Sequence, residues 1–143
     1  MHAIRSLLQP ADVATAPPEA SVFEVAKIMT EARVGAVMVV DHERVVGIFT
    51  ERDLMTRVVV LGLDPENVPV GSVATRDVIY ATPDMRRCDA IEMMRRAGCR
   101  HLPVLANGAL IAMLSMRDLL RDEIEETSEE LRELRDYLHS SHV

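Results

Sequence analysis

The chain has 143 residues, of which 48% are apolar and 3% aromatic, and a formal net charge of −7. That apolar share is enough to build a core and excludes a disordered chain, while the acidic balance excludes nucleic acid and anionic membrane as general partners. The apolar run from Ala36 to Val40 is far too short to span a bilayer, and the opening MHAIRSLLQP has no signal-peptide apolar region, so a cytoplasmic protein is expected.

In chain order, a short strand leads, and a capping-box pattern, Ser21 to Glu24, then opens a helix in which Val22, Val25, Ala26, Met29 and Ala32 recur at helical spacing. VGAVMVVD and VVGIFT follow as short β-branched runs that read as buried strands, and DHER between them suits a hairpin turn. A second helix starts at or soon after Thr50 and stops before Asp64-Pro65, and GLDPENVPV links onward. There the pattern starts again. A shift of 65 positions, without a gap, carries Asp12, Val13 and Ala16 onto Asp77, Val78 and Ala81, and Arg52, Asp53 and Leu54 onto Arg117, Asp118 and Leu119. This is an internal duplication. Each copy reads as strand, helix, two strands and helix. Neither copy, at about sixty residues, buries much alone, so the two are expected to pack as one body. The expected boundaries are repeat one at 4–62, a linker at 63–70, repeat two at 71–125 and an acidic tail at 126–143.

Cys88 and Cys99 have neither a disulfide framework nor metal-ligand spacing and read as reduced structural thiols. In the tail, Leu120, Ile124, Thr127, Leu131, Leu134 and Leu138 alternate by fours and threes, while Glu125, Glu126, Glu129, Glu130 and Glu133 take the other faces. This predicts an amphipathic helix with a heptad-like seam, either packed back on its own module or paired with a partner chain. Two heptads are too few to stand alone, and glutamates are expected to crowd the seam of a parallel pair.

The repeated TERDL (Thr50 to Leu54) and SMRDL (Ser115 to Leu119) place a hydroxyl three residues before a carboxylate at a helix start. One reading is helix capping. The other is ligand binding, in which free N–H groups and the hydroxyl hold a phosphate and the carboxylate accepts bonds from ribose hydroxyls. The two readings are compatible.

VGAVMVVDHERVVGIFTERDL and CRHLPVLANGALIAMLSMRDL closely resemble the CBS domain, and the tandem resembles a CBS pair, or Bateman module, over roughly residues 4 to 125. The resemblance implies an α/β (α+β) fold of two β-α-β-β-α repeats packed as one pseudo-two-fold module, with the C-terminal amphipathic helix added. It implies a regulatory, non-catalytic module that binds an adenosine-containing ligand between the repeats, with AMP, ADP or ATP ahead of S-adenosyl methionine or NAD. No cofactor is required on this reading. Such pairs often dimerise into a flat disc, so a homodimer is expected, acting on an unidentified regulated protein. They are usually attached to enzymes, channels or transporters, whereas here the pair occupies nearly the whole chain.

Carried over by position, the ligand-binding residues are Thr50, Arg52 and Asp53 with Val34, Gly35 and Ala36 in copy one, and Ser115, Arg117 and Asp118 with Cys99, Arg100 and His101 in copy two. Arg100 and His101 stand where copy one has Gly35 and Ala36, which concentrates phosphate attraction at copy two's entrance. The plainer readings are a solvated surface charge for Arg100 and a core-edge imidazole satisfied by backbone for His101. Ala112 in place of Gly47 and Met116 in place of Glu51 are expected to occlude or weaken one pocket. No nucleophile, base and orienting group recur together, which argues against an enzyme. A structural dimerisation or adaptor module with vestigial ligand sites is the alternative.

Overall fold

A computed structural model describes residues 3–8 and 13–140. Asp12, one of the matched repeat positions, and the last three residues of the 126–143 tail lie outside the described residues. The elements are β1 (Thr15–Ala16), α1 (Val22–Ala32), β2 (Ala36–Asp41), β3 (Arg44–Thr50), α2 (Glu51–Asp53, continued by the π-helical Leu54–Val59), α3 (Arg87–Ala97), β4 (His101–Ala106), β5 (Ala109–Ser115) and α4 (Met116–Ser140). Short 3-10 turns occupy Ile4–Leu7 and Val70–Ser72. In the first sheet β1 runs parallel to β2, and β2 is antiparallel to β3. In the second, β4 and β5 are antiparallel.

The leading strand of copy two is reduced to one parallel bridge, Ala81 to Val104. Pro103 accounts for the loss. It stands where β2 has Met38, whose N–H donates to the Ala14 carbonyl at 3.0 Å, and proline has no N–H to repeat that bond. Both hairpins close through two residues of positive φ. Copy one uses His42 and Glu43 at 47° and 66°, and copy two uses the more favourable Asn107 and Gly108 at 53° and 81°. The expected cap on α1 forms in one direction, with the Glu24 N–H donating to the Ser21 hydroxyl at 3.1 Å.

Each sheet is covered by its own helices around a separate core. Val22, Val25, Met29, Val37, Val39 and Phe49 are buried in the first, and Ala90, Met94, Leu102, Val104, Leu114 and Leu119 in the second. The leading segments of the two repeats are exchanged between them. Ile4, fully buried, belongs to the second core, and its N–H donates to the Met85 carbonyl at 2.9 Å. Val70 belongs to the first, where its N–H donates to the Ala20 carbonyl at 2.8 Å. Each core therefore closes only when a segment crosses from the other side, contributing about 1.5–3 kcal/mol of apolar burial per side chain. This ties the two small units into one body.

Arg87, at the start of α3, is the buried charged side chain among the described residues. Its Nη1 lies 2.7 Å from Asp122 Oδ2 and 2.5 Å from Glu126 Oε2, both on α4. Burial opposes its charge, but the two carboxylates more than offset that and raise the guanidinium pKa. The matching position in copy one is Val22. Beyond Glu126, every described residue of α4 is exposed, so the tail helix leaves the module instead of packing back on it.

Candidate functional site

Two clefts lie between the repeats, and each draws one wall from each copy. Cleft one, of about 450 Å³, joins Thr50, Arg52 and Asp53 of copy one to Cys99, Arg100 and His101 of copy two. Cleft two, of about 1360 Å³, joins Ser115, Arg117 and Asp118 of copy two to Val34, Gly35 and Ala36 of copy one. Every residue singled out from the sequence thus lines a cleft, but in crossed pairing, not grouped copy by copy. Ala36 pairs with Thr50 and His101 with Ser115 on adjacent strands, so each pair shares one face of its sheet, and the packing of the two repeats, not the pleat, divides Ala36 and Thr50 between the clefts.

Arg100 and His101 line both clefts, as does Glu51, so their charge is shared and does not belong to copy two's hydroxyl–carboxylate pair alone. A Cβ on Gly35 would sit 3.1 Å from Cε1 and Nε2 of His101 and 3.3 Å from Glu51 Oε1, so any larger residue there presses on the imidazole between the copies. The ring has no hydrogen-bond partner among the described residues, and is therefore not the backbone-satisfied imidazole that the sequence allowed. Burial pushes its pKa below the ordinary histidine value. Arg100 adds to that shift, while the carboxylates of Glu51 and Asp118 oppose it. Cys99 is free and half-buried, and burial pushes its thiol pKa up, away from the reactive thiolate.

The two carboxylates differ in their commitments. Asp53 is locked in a complete capping box: its N–H donates to the Thr50 hydroxyl at 3.2 Å, and its Oδ2 accepts from the Thr50 N–H at 3.0 Å. Its Oδ1 also lies 3.6 Å from Arg57 Nε. In copy two only half of the box forms, with the Asp118 N–H donating to the Ser115 hydroxyl at 3.1 Å. The Asp118 carboxylate has no hydrogen bond or ion pair among the described residues.

Cleft two is also lined by Arg33 and Arg121, which together with Arg100 and Arg117 make four guanidinium groups. Among the described residues none of the four has a carboxylate or carbonyl partner. Arg57 of cleft one, by contrast, is held by Asp53 and by the Val73 carbonyl at 3.1 Å. Neither cleft is closed by the departures between the copies. Gly47 instead admits the leading segment of repeat two: a Cβ there would sit 3.1 Å from the Thr75 carbonyl, whose bridge to Ile48 extends the first sheet.

Sequence reasoning missed Thr75, Asp77 and Ile79 in cleft one and Arg33 and Arg121 in cleft two. A signal existed for Arg33. It holds a left-handed φ of 56° at the end of α1, where copy two has Gly98 at 67°, so a long charged side chain occupies a position that favours glycine. No group of three or more metal-ligating side chains occurs among the described residues. Among them, too, no helix is long and apolar enough to cross a membrane.

One family pattern, the CBS domain, matches residues 4–60 and again 70–125. The chain is 32% identical over 127 residues to the CBS domain-containing protein CBSX3, mitochondrial, of Arabidopsis thaliana, covering 85% of this chain and 62% of that one. It spans about a fifth of the length of a larger relative from the same plant, with 39% identity over 105 residues. Among solved structures, a CBS-domain containing protein from Agrobacterium tumefaciens superposes with a TM-score of 0.80 at 31% identity, covering 85% of this chain and 99% of that one. A CBS domain protein from Pyrobaculum aerophilum, complexed with AMP, superposes with a TM-score of 0.74 at 30% identity, covering 82% of this chain and 89% of that one.

Proposed function

The chain belongs to the CBS domain family, and on that premise we propose that it is a non-catalytic regulatory module that binds an adenine nucleotide in cleft two and signals occupancy to another protein. The observation that carries this reading is the Asp118 carboxylate lining one cleft with four arginines, none of the five groups having an opposite-charge partner among the described residues. A carboxylate next to a hydroxyl suits ribose. Guanidinium groups suit phosphate, with bidentate geometry and a charge that does not titrate. The AMP complex of the Pyrobaculum aerophilum protein supports the ligand class. AMP, ADP and ATP are the ligands proposed, ahead of S-adenosyl methionine and NAD.

On this reading Ser115 and Asp118 hold the ribose, Arg33, Arg100, Arg117 and Arg121 receive the phosphates, and Val34, Gly35 and Ala36 form the opposite wall. Thr50, Arg52, Asp53 and Cys99 form the equivalent but weaker cleft one. The complete capping box at Asp53 favours a second reading for that cleft alone, as a structural remnant. A thermal-shift screen against AMP, ADP, ATP, NAD and S-adenosyl methionine tests the proposal. A nucleotide-specific rise in melting temperature is expected, and no rise with any of them would favour the adaptor reading for the whole module.

A further inference from the structure

The last part of α4 is an exposed rod whose apolar side chains do not face the module. Leu119 is buried, and Asp122 and Glu126 are held by Arg87, so this face of the helix is turned inward. At 100° per residue the row Leu120, Ile124, Thr127, Leu131 and Leu134 lies on the order of 130° away from it. Leu120, Ile124, Leu131 and Leu134 are 43%, 66%, 53% and 53% exposed. Residues 127–140 extend about 20 Å at the helical rise, a length at which a helix in water is marginal without a partner.

Heptad places identify the partner. With Ile124 and Leu131 at a, and Leu120, Thr127 and Leu134 at d, the flanking g places hold Glu123 and Glu130 and the flanking e places hold Arg121, Ser128 and Arg135. Most of the other acids, Glu125, Glu129 and Glu133 among them, fall at b, c and f, away from the seam. A parallel in-register pair sets each g residue against the e residue five positions on in the other helix. Glu130 then meets the partner's Arg135, twice by symmetry. An antiparallel pair would instead set glutamate against glutamate and arginine against arginine. Apolar β-branched Ile124 at a with Leu120 and Leu134 at d also suits two strands, with Thr127 the polar d residue between them.

We propose that α4 pairs with α4 of a second copy of this chain as a parallel, in-register two-stranded coiled coil. The charge crowding that the sequence suggested falls away once most of the acids are placed outside the seam. The inward face stays on its own module, so the coil joins two modules side by side.

Cysteine crosslinking of the full chain tests this. Leu134→Cys, at the exposed d place, should give a disulfide-linked dimer under mild oxidation, with the bond mapped to 134–134 by mass spectrometry. Arg132→Cys, at an outward b place, should not. Arg135→Glu should weaken dimerisation roughly tenfold by analytical ultracentrifugation, and Glu130→Arg added to it should restore affinity to within about twofold. All four substitutions fall on exposed positions and leave the module's cores intact. No 134–134 bond, equal linking at 132, a monomer at tens of micromolar, or a dimer indifferent to both reversals would each overturn the proposal. A heterologous helix as the true occupant would show itself as that monomer.

Discussion

Clefts one and two share a backbone plan yet differ in what their side chains are free to do. In cleft one Asp53 serves its own helix: both halves of the capping box are made, and Arg57 is drawn in. In cleft two Asp118 gives up its carboxylate half of the box, and the arginines around it have no partners in the described protein. Duplication preserved the frame, since strand pairing and turn positions are fixed by backbone hydrogen bonds. Individual side chains then diverged, with Asp53 committed to its own helix and the Asp118 carboxylate not. The same trade appears below the clefts. Copy one opens its helix with Val22 in an apolar core, while copy two uses Arg87 to hold α4.

The sharpest way to break this asymmetry is at Arg87. Arg87→Ala leaves Asp122 and Glu126 facing each other, with side chains only 19% and 18% exposed, and should cost about 3 kcal/mol in chemical denaturation. Rewriting the cluster in the manner of copy one, as Arg87→Val with Asp122→Leu and Glu126→Leu, should recover most of that loss. If the single variant is as stable as the parent, the ion pairs do not anchor α4.

The clefts themselves should respond in opposite ways. Asp118→Ala should weaken nucleotide binding roughly tenfold to a hundredfold with little change in melting temperature. Asp53→Ala should instead cost about 1 kcal/mol of stability through the lost cap. Arg100→Ala, at the junction of the clefts, should weaken AMP more than adenosine, with the difference shrinking at high salt. Equal losses for the two ligands would show that this arginine does not read phosphate.

His101 gives the comparison a pH axis. Its folded pKa is depressed, so between the ordinary histidine value near 6.5 and the lower folded value the unfolded chain holds more protons than the native one. Stability should therefore fall as pH drops through that window, and His101→Asn should flatten the fall. A bound phosphate favours the imidazolium, so AMP affinity should rise as pH falls from 7 to 6. A pH-independent affinity would place the phosphate away from the ring. The smallest effect is expected in the hairpins: Glu43→Gly relieves a non-glycine residue at positive φ, as Gly108 does in copy two, and should stabilise by about 0.5–1 kcal/mol in thermal melts.

Periodicity and the 65-residue echo made the elements, the duplication and the hydroxyl–carboxylate pairs readable, because those depend on local spacing alone. The DHER hairpin was readable for the same reason. The crossed assembly of the clefts was not, because Ala36 and Thr50 are strand neighbours whose side chains serve different clefts, and only packing of the two sheets reveals it. The exchange of Ile4 and Val70 between cores was hidden for the same cause: an apolar residue declares that it will be buried, not where. The shortened strand of copy two was in plain view as Pro103, but its consequence depends on the bond that Met38 makes in copy one. Arg121 became visible only as lining, whereas Arg33 could have been noticed as the arginine standing where copy two has Gly98.

The assignment of cleft two, through Asp118, as the proposed nucleotide site stands or falls on isothermal titration of AMP and ATP into the parent protein, Asp118→Ala and Asp53→Ala. Saturable binding is expected for the parent, with a loss of roughly tenfold or more in affinity for Asp118→Ala and affinity within about threefold of the parent for Asp53→Ala. Unchanged affinity in Asp118→Ala, or a loss confined to Asp53→Ala, would contradict it.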